Sequence, residues 1–183
     1  MNITAFPRRP KSPKPLDTKT WCVPVNFVFD DGTALSLRLA EKSVQSLENR
    51  LWSEDNERHF VIFQTVEEVV ALNARRLTHW TPDMEELSIV EYAERREEDE
   101  DEPEPVSVHC ANLAGPIQLW CVAEKEGDER DPVRSAMIDL DDADSLGQPF
   151  LRVTDSSLQP YYFRTNSVLL FRVPQWIIPC FTD

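Results

Sequence analysis

The chain has 183 residues, and its 33 Asp+Glu against 19 Lys+Arg give a net charge of −14. With 41% hydrophobic and 9% aromatic residues it can bury a core, but so acidic a balance argues against a general nucleic-acid binder, because phosphate contact needs a basic face. No apolar run approaches the roughly 18 residues of a membrane span.

The N-terminus, Met1 to Arg9, has no apolar segment after it, which predicts no secretory leader and a cytoplasmic location. The four cysteines (22, 110, 121 and 180) have neither CxxC nor metal-ligand spacing, so they read as buried thiols. Glycine is scarce at 4 residues. Neither GxGxxG nor GxxxxGK[ST] occurs, so no phosphate-cradling loop and no cofactor is expected.

Residues 1–20 carry four prolines and the basic residues Arg8, Arg9, Lys11, Lys14 and Lys19. They hold too few large apolar side chains to order themselves, and read as an extended basic arm. From Trp21 the pattern changes. Val23, Val25, Phe27 and Phe29 alternate, Asp30-Asp31-Gly32 turns, and Leu35, Leu37 and Leu39 alternate back. A three-residue turn pairs Phe27 with Leu35 and Val25 with Leu37, which keeps every large apolar residue on one face and puts Gly32 at the left-handed position. Residues 40–52 switch to helical period through Ala40, Val44, Leu47 and Leu51. Phe60–Phe63 and Val69–Leu72 read as a second strand pair, with Leu77 and Trp80 continuing the pattern to Pro82 and His79 facing out.

Residues 83–96 are expected to be helical, with Met84, Leu87 and Val90 inward. The run Glu97 to Pro105 is dense in acid and ends in two prolines. Self-repulsion makes it an extended linker between a first unit (21–96) and a second (106–183).

The second unit opens with Val106, Val108 and Cys110, a turn placed at Gly115-Pro116, and Ile117, Leu119 and Cys121. That turn would set Cys110 opposite Cys121, close enough to touch. Asp131-Pro132 opens a short helix through Met137. Phe150–Val153 then echoes Phe60–Phe63, and Tyr161–Phe171 set over Val70–Trp80 matches apolar positions at 72/163, 77/168 and 80/171. The expected fold class is therefore α+β: two small β-rich units, a tandem ββαββ duplication with mostly antiparallel sheets.

Catalytic signatures are missing. His59, His79 and His109 have no nucleophile beside them and no i, i+4 ligand spacing, and GxSxG and HExxH do not occur. The Asp139–Asp144 stretch lacks the glycine and glutamate of a calcium loop. No catalytic, cofactor or metal residue is nominated, and the balance leans away from an enzyme with a dispersed site. The leading expectation is a non-catalytic interaction or adaptor protein that docks another protein. It would do so through the apolar C-terminal Trp176, Ile177, Ile178 and Phe181, or through Arg8, Arg9, Lys11 and Lys14. The alternative is an acidic nucleic-acid mimic that inhibits a protein with a basic surface, its charge steering it into a basic cleft. Neither reading involves direct contact with nucleic acid or membrane.

Overall fold

The computed structural model describes residues 19–52, 59–91, 104–121, 132–141, 149–175 and 177. It is mixed α+β, with antiparallel strand pairs and, among the described residues, two helices. No helix among them is long and apolar enough to cross a membrane.

β1 (Lys19–Phe29) and β2 (Ala34–Ala40) form the opening hairpin. Phe27 lies opposite Leu35 and Val25 opposite Leu37, the register that puts the apolar set on one face. Gly32 sits at φ 84°, where a side chain would be strained, and Thr33 N donates to Asp31 Oδ1 at 3.0 Å. α1 (Glu41–Trp52) buries Val44 and Leu47. Its Arg50 Nη1 reaches the Ile62 carbonyl oxygen at 2.5 Å, tying the helix to β3 (Phe60–Gln64). β4 (Glu68–Asn73), a 3-10 turn (Ala74–Arg76), β5 (Leu77–Pro82) and β6 (Ser88–Glu91) follow.

The helix expected over 83–96 is overturned in its described part. Ser88–Glu91 is a strand, paired with Lys19–Cys22. β1 runs on past its pairing with β5, which stops at Val25, and its spare edge offers backbone partners to the β-branched Ile89 and Val90. A helix here would have had little core to face, since Met84, Leu87 and Ile89 are 48%, 41% and 49% exposed.

After the acidic run come β7 (Glu104–Cys110), β8 (Ile117–Cys121), α2 (Pro132–Asp141), β9 (Phe150–Thr154) and β10 (Pro160–Arg164). A 3-10 turn (Thr165–Ser167) and β11 (Val168–Pro174) are the last of the described elements. Cys110 and Cys121 do not face each other. Val108 pairs with Ile117 and Cys121 with Glu104, while Cys110 lies opposite Val168 of β11. The turn is built on Asn112, which holds φ 63°, and not on Gly115-Pro116.

Among the described residues three sheets result: β2-β1-β5 with β6 also on β1, the two-stranded β10-β9, and the five-stranded β3-β4-β11-β7-β8. The five-stranded sheet joins strands from both sides of the acidic run. Its β3–β4 hairpin is buried on both faces. Val61, Phe63, Val70 and Leu72 enter a first core with Phe27, Leu39 and Leu47. Phe60, Val69 and Ala71 enter a second core with Val108, Met137, Leu151 and Phe171. At the β4–β11 join Val69 lies opposite Val173 and Leu72 opposite Leu170. Arg172 spans it to Glu68 at 2.8 Å, and Asn73 Nδ2 donates to the Val168 carbonyl at 2.9 Å.

Local detail recurs on the two sides. Each side runs strand, strand, helix, strand, strand, 3-10 turn, strand, and the last of these strands pairs with the first: β5 with β1, β11 with β7. Ala74 N donates to the His59 carbonyl at 2.8 Å, and Thr165 N to the Pro149 carbonyl at 3.0 Å. Asp30 N reaches Arg76 O at 2.9 Å, and Ala111 N reaches Ser167 O at 2.8 Å.

One difference concerns strand edges. β4 and β11 pair with each other, whereas among the described residues β5 and β10 each end a sheet. Asp83 N donates to Pro24 O at 2.8 Å and Asp155 N to Gln159 O at 3.1 Å. Because hydrogen-bonding groups alternate sides along a strand, the nitrogens of Pro82 and Pro160 point to the open edges, where neither can donate.

Candidate functional site

The two 3-10 turns and the two strand starts beside them converge on one cleft. Its volume is about 470 Å³, and it is lined by His59, Phe60, Asn73, Arg75 and Arg76 from one side and Pro149, Phe150, Arg164, Thr165 and Asn166 from the other, with Asp30 at the rim. The size suits a small ligand, such sites spanning roughly 300–1,000 Å³. Smaller clefts of about 360 and 270 Å³ lie beside Trp52 and beside the Glu68–Arg172 pair.

Local folding fixes each lining group. Arg76 is clamped by Asp30, Nε donating to Oδ1 at 2.8 Å and to Oδ2 at 3.0 Å, while its Nη1 reaches the Asn166 carbonyl at 3.1 Å. The hydrogen bond to Asp30 raises the Arg76 pKa further above its ordinary range. Arg75 Nη1 contacts His59 Nε2. Arg164 places its guanidinium carbon 5.8 Å from the centroid of the Phe150 ring, within cation–π range. Phe150 is 45% exposed, whereas Phe60, which also lines the cleft, is buried.

Asn73 is 3% exposed. Its Nδ2 is committed to Val168 O, while its Oδ1 is buried with no hydrogen-bond partner. Next to the cleft, burial pushes the Asp31 carboxyl up, but hydrogen bonds from the backbone of Asn112 and Thr33 outweigh it and hold the group below its usual range. Asp31 Oδ2 accepts from Asn112 N at 2.8 Å, so the two hairpin turns are laced together.

The cleft is cationic in an acidic chain, with three arginines against one aspartate among its lining residues. No protein-family model matches the chain, and no curated protein or solved structure matches it. The geometry of the cleft therefore carries the functional argument.

Of the residues nominated from sequence, one is among the described residues. Arg8, Arg9, Lys11, Lys14, Trp176, Ile178 and Phe181 lie outside the described residues. Ile177 is 3% exposed and packs in the second core. Of the acidic run, Glu104 is described as the start of β7, and 97–103 lie outside. Among the described residues no group of three His, Cys, Asp or Glu is placed to hold a metal ion.

The cleft residues were missed in the sequence because each reads as ordinary turn chemistry. One signal was available. The alignment of 70–80 over 161–171 sets the segment Asn73–Arg76 over Arg164–Ser167, the two turns that the fold brings face to face.

Proposed function

We propose that the chain is a tandem duplicate of a ββαββ unit with a closing strand, and that it is a non-catalytic interaction protein whose docking site is the cleft at the seam. The duplication is supported by the repeated element order and by the paired hydrogen bonds at the two 3-10 turns. The cleft takes an anionic group, a phosphate or carboxylate carried by the ligand.

One observation carries this reading. Arg75 and Arg164, one from each half, converge on a single cavity in a chain whose net charge is −14. Guanidinium groups stay protonated and offer donors in a fixed fork suited to oxyanions. They bind and orient, and they do not exchange protons at neutral pH, which favours capture over acid–base chemistry. The overall acidity of the surface sharpens the choice of ligand, since an anion is attracted only where the local field reverses sign.

Isothermal titration of the full chain with inorganic phosphate and pyrophosphate tests the reading. Saturable binding is expected, weakened about tenfold, or about 1.4 kcal/mol, by Arg75→Gln or Arg164→Gln, and weakened by added salt. Lack of binding, or binding that both variants retain in full, refutes it.

A further inference from the structure

We propose that the seam cleft is a mononucleotide site, with the base laid against Phe150 and the phosphate held by Arg75 and Arg164. The proposal rests on the reading of the cleft as an anion site and adds the ligand's other half.

Two features ask for more than an anion.

The first feature is the ring. Phe150 is 45% exposed, with the Arg164 guanidinium 5.8 Å from its centroid. An exposed phenyl capped by a guanidinium is a stacking platform for a flat heterocycle. Phe60 and Pro149 extend the apolar wall.

The second feature is scale. A cavity of about 470 Å³ suits one base, one sugar and one phosphate, within the range of small-molecule sites. Outside the cleft the acidic chain repels further phosphates, so a free mononucleotide fits better than a strand. The two cations come from opposite halves, Arg75 from one and Arg164, with the Phe150 ring, from the other. One ligand would thus bridge the seam.

The test is titration of the full-length chain with AMP, GMP, CMP and UMP, alongside ribose 5-phosphate and inorganic phosphate. At least one nucleotide is expected to bind about tenfold or more tighter than ribose 5-phosphate. Phe150→Ala is expected to bring that nucleotide down toward the affinity of ribose 5-phosphate, and Arg164→Gln to weaken both. Phe150 is partly exposed, and circular dichroism with thermal melting checks that the variant stays folded. If inorganic phosphate binds and no base adds affinity, the nucleotide assignment is overturned and the anion site stands. If neither phosphate nor nucleotide binds at about 10 mM, both fall.

Discussion

Acidification should destabilise this fold through one imidazole. His109 lies on β7 at 8% exposure, and its Nε2 is buried with no hydrogen-bond partner. Burial, and then the charge of Arg172 beside it, push its pKa down from 6.5 to about 4. Arg172 is itself held by Glu68 across the β4–β11 join. In the unfolded chain the imidazole takes up a proton below 6.5, whereas in the folded protein it stays neutral until about 4. Between those values the unfolded state binds more protons, so stability falls as pH falls.

The full gap, at about 1.4 kcal/mol per pKa unit, is worth about 3 kcal/mol, of which about 2.5 kcal/mol is lost between pH 7.5 and pH 4.5. Urea unfolding followed by tryptophan fluorescence at those two pH values measures it, with His109→Gln as the comparison. Asp31 and Asp155, whose pKa values are lowered, also cost stability on acidification, but they do so in both proteins and cancel in the difference. The wild type should lose about 2.5 kcal/mol more than the variant. Equal losses would refute the assignment of His109 as a buried neutral group.

Glu68→Gln leaves Arg172 half of its partner at a partly buried join and should cost about 1 kcal/mol in urea unfolding, with the loss reduced in high salt; a neutral result would mean that the pair adds nothing to the join. Cys22 and Cys110 are buried and their thiol pKa values are raised by burial, so both should resist a thiol reagent at pH 7.5 and react on unfolding. Mass mapping of the labelled sites checks this, and rapid labelling of either in native protein would contradict it. The double variant Pro82→Val, Pro160→Val restores an outward N–H to each open edge. It should associate head to tail, Trp80 against Tyr162 by analogy with the β4–β11 register, giving a sedimentation coefficient that rises with concentration up to about 100 μM. An unchanged coefficient would show that proline is not what keeps these edges apart.

Much of the fold was legible where local pattern and tertiary demand agree. The first hairpin is the clearest case. Alternation in Val23–Phe29 and Leu35–Leu39 admits one register that keeps all large apolar side chains together, and that register is the one observed. α1 was readable for the same reason, its period placing Val44 and Leu47 inward. What failed depended on partners distant in sequence. Ser88–Glu91 became a strand because β1 had an unused edge, which its own composition does not announce. The Cys110 register was misplaced because Asn112, in the left-handed region, makes the turn in place of the more conspicuous Gly115-Pro116.

The cleft was hidden for a further reason. Its guanidiniums and rings lie on segments about 90 residues apart, and the β4–β11 join brings them together. The tail and the arm stand out by composition, whereas Asn73, Arg75 and Arg164 look unremarkable in a turn.

The doubly buried β3–β4 hairpin has a consequence for how the chain can be divided. Cutting between β6 and β7 severs one covalent connection but leaves β4 zipped to β11 along five residue pairs, with Phe60, Val69 and Ala71 seated in the other half's core. The acidic run marks a break in composition, yet the two pieces share a wall. Produced separately, the second piece would expose the face on which β3 and β4 belong. Mixed, the two should reconstitute the native sheet, as a split protein does, and the seam cleft should reappear only in the reassembled pair.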